Sequence, residues 1–265
     1  MEIVVCIKQV PASSNVKVDP ETGVLIRDGV NSKMNPYDLY ALESALLLKE
    51  AYGGTVKVIS MGPPAATAIL KEAIYMGADE GTLISDRRLG GADVLATAYT
   101  LSSAIRALGK VDLILCGKQT TDGDTAQVGS ELSEYLGLPQ YSNVKTIRKE
   151  EDKVHIVTEL GSMILSCDIQ LPCVLCVDNE INTPRLPSYK RKRLTDPEMD
   201  QRIKVLSLDD FEDKNPKHYG LSGSATQVEK IFPPEKNDQH RVFTGDAATV
   251  SKQVYDLLKA NKVLE

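Results

Sequence analysis

The stretch Leu113-Ile-Leu-Cys-Gly-Lys-Gln-Thr-Thr-Asp-Gly-Asp-Thr-Ala-Gln-Val-Gly129 decides the fold. An apolar run of strand length stops at Gly117, a polar turn follows, and a helical pattern begins at about Thr125. Strand, glycine-bearing loop and helix N-terminus, in that order, are how parallel α/β proteins build a nucleotide site. The unpaired N–H groups and positive dipole end of such a helix attract a phosphate. The loop is neither the dinucleotide fingerprint Gly-x-Gly-x-x-Gly nor a Walker P-loop, so it predicts a nucleotide without naming it. The amides of Thr125, Ala126, Gln127 and Val128 are the candidate phosphate donors, with Gly123 permitting close approach. Asp122 and Asp124 are either acceptors for ribose hydroxyls or simple helix caps.

Upstream of this stretch, strand and helix alternate. Ile3–Ile7 is an apolar run of strand length. Asn35-Pro-Tyr-Asp38 reads as a helix start, with Asn35 as N-cap, Pro36 at the first helical position and Asp38 favourable to the dipole. That helix should end at Gly53-Gly54. A strand over Val56–Ser60, a helix over about Ala65–Met76, a short strand at Leu83-Ile84 and a helix over Asp93–Leu108 follow. Short connections between such units predict an α/β fold with a doubly wound parallel sheet. In open sheets of this kind, ligands bind at the C-terminal ends of the strands. The loops after Cys6 and Lys8, after Met61, and over Asp122–Gly129 should therefore converge, with Asn35, Tyr37 and Asp38 closing one side.

After Pro139 the pattern changes to strands without long helices: Val144–Arg148, Val154–Thr158, Met163–Gln170 and Cys173–Val177. These predict hairpins or an extended sheet edge. From Asn182 periodicity is lost until a helix over Ala247–Ala260, which suggests an arm that wraps a partner subunit. Residues 1–190 are thus expected to form the nucleotide-binding domain and residues 191–265 the arm. Lys190-Arg-Lys-Arg193 reads either as solvated charge or as a docking patch for an acidic partner. Gly90-Gly-Ala-Asp93 is either turn punctuation with Asp93 as N-cap or a second ligand turn.

Composition bounds the function. A net charge of −6 argues against nonspecific nucleic-acid binding. No apolar run approaches the roughly 20 residues that span a bilayer. The first residues enter a strand without a basic n-region, so no export signal is expected. The cysteines at 6, 116, 167, 173 and 176 are odd in number and scattered through apolar runs, as in reduced cytoplasmic proteins. Cys173 and Cys176 match C-x-x-C, but residues three apart on a strand point to opposite faces. The three histidines form no ligand pattern, and no hydrolytic triad is evident.

At these loops the chain resembles the β subunit of electron-transfer flavoproteins over nearly its full length. The residues that carry the resemblance are Cys6-Ile-Lys-Gln-Val10, Asp28-Gly-Val30, Met34-Asn-Pro-Tyr37, Met76-Gly-Ala-Asp79, Val111-Asp-Leu-Ile-Leu-Cys-Gly-Lys-Gln119 and Leu171-Pro-Cys-Val174. The resemblance implies a fold related to adenine-nucleotide α hydrolases, an α-subunit partner, and a C-terminal arm around that partner. In the ordinary branch the pocket holds AMP and the loop reads Asp-Asp-Asp-Cys-Asn-Gln-Thr-Gly. Here Asp122-Gly-Asp-Thr-Ala-Gln-Val-Gly129 is similar to the electron-bifurcating branch, which places a second FAD there. That branch also uses a Gly-Gly-x-Asp turn for NADH, matched by Gly90, Gly91 and Asp93. The resemblance thus implies a redox subunit of an NADH- and ferredoxin-linked (or flavodoxin-linked) flavin dehydrogenase complex. Tyr189 stands about where many members carry an aliphatic anchor for an acyl-CoA dehydrogenase. Gly161-Ser-Met-Ile-Leu-Ser166 replaces the usual acidic, glycine-rich segment. The dehydrogenase served is accordingly one for an acyl-CoA or for a 2-hydroxy acid.

Overall fold

A computed structural model describes residues 1–12, 17–18, 25–26, 32–229 and 240–264. It divides into two units, Met1–Glu229 and Lys230–Glu265. The first is built on a nine-stranded sheet. Its strands are β1 (Glu2–Cys6), β2 (Thr55–Met61), β3 (Glu80–Ile84), β4 (Leu113–Gly117), β5 (Gln140–Glu150), β6 (Lys153–Leu160), β7 (Met163–Gln170), β8 (Cys173–Val177) and β9 (Ile203–Leu206). They lie in the order β7-β6-β5-β8-β4-β1-β2-β3-β9. Neighbours from β5 through β9 are parallel. The edge β5-β6-β7 is an antiparallel meander. The α/β class and the hairpin edge are those expected from the sequence.

Alternation along each strand feeds two cores. Ile3, Val5, Val56, Val58, Leu113, Leu115, Cys173 and Leu175 face α1 (Pro36–Tyr52) and α2 (Thr67–Met76). Val4, Cys6, Ile59, Ile114, Cys116, Val174 and Cys176 face α3 (Val94–Ala107) and α4 (Val128–Leu136). Helices on both faces are what a parallel sheet requires, and they explain why its strands read as continuous apolar runs. Cys173 and Cys176 fall in opposite cores, as strand geometry dictates. Burial pushes the Cys173 thiol up to about 12, so it is inert.

The chain runs from β1 outward through β2 and β3, then returns to β4 on the other side of β1. The strand order therefore reverses between β1 and β4. Gly129 in the first turn of α4 lets that helix lie directly on the sheet, since a Cβ there would overlap Cys176 Sγ.

Three expectations are corrected. The third strand begins at Glu80 rather than Leu83, because Gly81 pairs with both Val58 and Ile203 inside the sheet. Helix α4 starts at Val128 rather than Thr125; Asp124 and Ala126 hold φ of 53° and 55°, a left-handed conformation no helix can contain. The stretch after Asn182, where no element is expected before Ala247, contains regular elements. Residues Tyr189–Thr195, with the basic run, form helix α5, and Ile203–Leu206 pairs with β3. Polar side chains tie this stretch down. Arg185 clasps the buried Glu43 (2.8 Å) and Glu50, and Asn182 Nδ2 donates to Tyr40 O at 3.1 Å. The second unit contains helix α6 (Ala247–Ala260), capped by Asp246. The Asp28-Gly-Val30 segment lies outside the described residues.

Replacing Gly129 with alanine should destabilise the chain by about 1–3 kcal/mol, the usual cost of overpacking. Adding Cys176→Ala should restore part of it, because the clash is with that sulfur alone at close range. Denaturant titration of the two variants checks both statements.

Candidate functional site

In open α/β sheets a reversal of strand order such as that between β1 and β4 marks the crevice, outside the carboxyl ends of the strands, where ligands bind. Cys6 ends β1 and lies in register with Cys116 of β4. Immediately beyond, Gln9–Pro11 pairs antiparallel with Ser32–Met34, which brings Lys8 beside Asn35; the Asn35 amide donates to Lys8 O at 2.8 Å. Met61 ends β2, and Gln9 Nε2 donates to Ala65 O at 3.2 Å, tying the β1 loop to the β2 loop.

Asn35 sits at the N-cap position of α1, but its side chain makes no cap bond. Instead Nδ2 donates to Asp38 Oδ1 (3.0 Å) and to Gln119 O (2.8 Å), while Oδ1 accepts from the Thr121 amide at 3.2 Å. Asp38 Oδ2 accepts from the Lys8 amide at 2.7 Å. Two side chains at the start of α1 thus hold both the loop after β1 and the loop after β4. Burial pushes the Asp38 carboxyl up to about 7, against the opposing pull of Asn35 and the Lys8 amide. Gly117 is required here: a Cβ would overlap the Tyr37 and Asp38 backbone. Tyr37 contributes this backbone contact and is half-buried.

The loop Thr121–Gln127 is exposed. Lys8 Nζ pairs with Asp122 at 2.8 Å. Although burial opposes it, that lysine holds the Asp122 carboxyl below the usual range. Asp122 also accepts from the Gly123 amide at 2.8 Å, and Asp124 accepts from Gln119 Nε2. Neither aspartate caps α4, whose N-cap position is Gln127; the helix-capping alternative falls. Among the described residues, no hydrogen bond uses the amides of Thr125, Ala126, Gln127 or Val128. An exposed run of unpaired N–H groups beside a crevice, with small side chains at Gly123, Thr125 and Ala126, fits a phosphate-bearing nucleotide.

Gly90, Gly91 and Asp93 lie elsewhere, after β3 and at the start of α3. Asp93 does cap α3, accepting from the Ala96 amide at 3.0 Å. The turn is not remote from the main loop, because α3 and α4 pack side by side. Glu131, in the first turn of α4, has its carboxyl raised by burial and then by the charge of Asp93. One of its oxygens is enclosed without a hydrogen-bond partner among the described residues. The turn and the loop therefore sit at the same ends of two neighbouring helices. Glu131 carries no signal in sequence beyond an acidic first turn. Nor do Ser224 and Thr226, which bond to Asp93 from 131 and 133 residues away.

An open α/β sheet with a switch point and free amides at a helix start is the arrangement by which this class of fold holds nucleotides. Residues 22–210 match the electron transfer flavoprotein domain. The chain is 42% identical over 261 residues to an electron transfer flavoprotein subunit beta of Clostridium acetobutylicum, covering 98% of each chain. It is 43% identical over 250 residues to the caffeyl-CoA reductase-Etf complex subunit CarD of Acetobacterium woodii, covering 92% of each. Protein FixA of Bradyrhizobium diazoefficiens is 36% identical over 273 residues, covering 99% of this chain and 92% of that one. The chain belongs to the electron transfer flavoprotein family, as a β subunit. Among the described residues, no helix is long and apolar enough to cross a membrane.

A buried carboxyl raised from 3.8 to about 7 binds its proton more tightly in the folded state. Stability should therefore fall as pH rises from about 4 to 7. Asp38→Asn, which cannot titrate, should flatten that part of the curve; melting temperatures across this window for both chains check the sign.

Proposed function

We propose that this β subunit pairs with an electron transfer flavoprotein α subunit and works as the electron-bifurcating half of the heterodimer. Cys6, Lys8, Asn35, Tyr37, Asp38, Met61 and Asp122–Val128 would surround an FAD, and Gly90, Gly91 and Asp93 would receive NADH. When bound, such a flavin supplies hydride acceptance from NADH, passing one electron to ferredoxin or flavodoxin and the other to the α-subunit FAD, and thence to a partner flavin dehydrogenase.

The observation that carries this reading is the placement of the two turns. The Gly90–Asp93 turn and the Asp122–Val128 loop begin neighbouring helices, and the Asp93 charge reaches Glu131. A donor nucleotide and an acceptor nucleotide held at these two starts would lie side by side, which hydride transfer requires. The amides of Thr125–Val128 would bind phosphate oxygens. Asn35 and Asp38 would keep the crevice walls fixed, since both oxygens of Asp38 are already committed to the protein.

The small side chains of the loop favour the bulkier FAD over AMP in this pocket. The resemblance to subunit CarD supports service to an acyl-CoA-type dehydrogenase, and the 2-hydroxy acid alternative shares the same electron path. The arm, including α6, would wrap the α subunit, and the free thiols at Cys6, Cys116, Cys167, Cys173 and Cys176 support action in the reducing cytoplasm.

The purified heterodimer should contain two FAD. One FAD with one AMP would overturn bifurcation and leave an ordinary carrier. Gly91 has φ of 75°, and a Cβ there would press on Leu221. Gly91→Val should therefore impair NADH oxidation strongly while both FAD remain bound; unchanged NADH kinetics would remove NADH from this turn.

A further inference from the structure

The Gly90–Asp93 turn is held from outside by a segment distant in sequence. Tyr219 is fully buried against Tyr99 and Phe211, and its hydroxyl donates to Asp213 O at 2.7 Å. The chain then turns through Gly220, with φ of 56°, where any Cβ would overlap Arg88 O. That close approach lets the Leu221 amide donate to Gly90 O at 3.0 Å. Ser224 Oγ accepts from the Asp93 amide at 2.9 Å and donates to Gly220 O at 2.8 Å. Thr226 donates to Asp93 Oδ2 from its amide (2.8 Å) and its hydroxyl (3.0 Å). Asp93 Oδ1 is occupied by the Ala96 amide. Burial opposes it, but these amides and the hydroxyl keep the Asp93 carboxyl ionised and below its usual range.

With both carboxylate oxygens committed to the protein, Asp93 has the bonding pattern of a fixed strut. Among the described residues, the backbone N–H groups of Gly91 and Ala92 take part in no backbone hydrogen bond. What the segment 219–226 fixes is therefore the orientation of this short stretch of main chain.

We infer that Ser224 and Thr226 are positioning residues for the dinucleotide turn, acting through Asp93. The inference rests on the proposed NADH role of Gly90–Asp93. Asp93 orients the turn and does not itself bind the ribose. Loss of the two side-chain bonds would let the turn drift, weakening NADH binding while leaving the flavin loop untouched. Each bond is worth about a five- to tenfold change in an equilibrium.

The test uses the complete heterodimer with its flavins. The double variant Ser224→Ala, Thr226→Val should raise the KM for NADH and the calorimetric Kd for NAD by about tenfold or more, with kcat and flavin content little changed. Amide hydrogen exchange over Gly90–Ala96 should speed up. Thr226→Val alone should give a smaller effect of the same kind, and Thr226→Ser, which keeps the hydroxyl, should behave as wild type. Unchanged KM and Kd in the double variant, with Gly91→Val still impairing NADH oxidation, would overturn the positioning role and leave the NADH turn standing. If Gly91→Val also leaves NADH kinetics unchanged, the turn itself is misassigned and the positioning role falls with it.

Discussion

The site depends on one buried carboxylate. Asp38 lies beneath the carboxyl ends of β1 and β4, where an unpaired charge would be prohibitively costly. The Lys8 amide and Asn35 Nδ2 point at its two oxygens and offset part of that cost, while burial still pushes the carboxyl up to about 7. Asn35 passes the constraint on to Gln119 and Thr121, and Gly117 provides the clearance for α1 to come so close. The walls of the crevice are thereby fixed relative to the sheet before any ligand arrives. The loop Thr121–Gln127 beyond them stays exposed.

The same device recurs around the molecule. Asp79 accepts from the Val56 amide, Asp112 from the Glu2 amide, Asp86 from the amides of Arg88 and Leu208, and Asp93 from those of Ala96 and Thr226. Each carboxylate fastens a chain segment to a strand end or helix start, bridging separations of two to more than a hundred residues. These bonds exploit the strength of charge-assisted acceptance from backbone N–H groups. Together with the burial of Met199, Leu208, Phe211 and Tyr219 in the two cores, the bonds to Leu208 and Thr226 hold the irregular stretch after Asn182 in place, so acidic residues serve architecture as well as solubility.

Much of this was legible in the amino-acid sequence, and the failures have definite causes. The βα alternation, the hairpin edge and the opposed faces of Cys173 and Cys176 follow from periodicities of 3.6 and 2, which are local. Helix α4 begins three residues after Thr125, although Thr125-Ala-Gln is compatible with helix by propensity. Nothing local announces that Asp124 and Ala126 adopt positive φ. Asn35 stands at a helix start, as its type and the following proline predict, yet its side chain serves the loop after β4. Strand β9 was hidden because Ile203–Leu206 is short and half-exposed, so it lacks the apolar run that marks an interior strand.

By itself, the sequence determined the fold class, the switch-point location of the Asp122–Val128 loop and membership of the electron transfer flavoprotein family. Those properties reside in short-range patterns and in motif identity. Only the tertiary structure decided which atoms the aspartates engage, that the Gly90–Asp93 turn and the Asp122–Val128 loop begin adjacent helices, and that residues 219–226 brace the first of them. Hydrogen bonds between residues 80 to 140 positions apart depend on how the sheet is ordered and how the helices pack over it. That arrangement exists only once the two cores have formed.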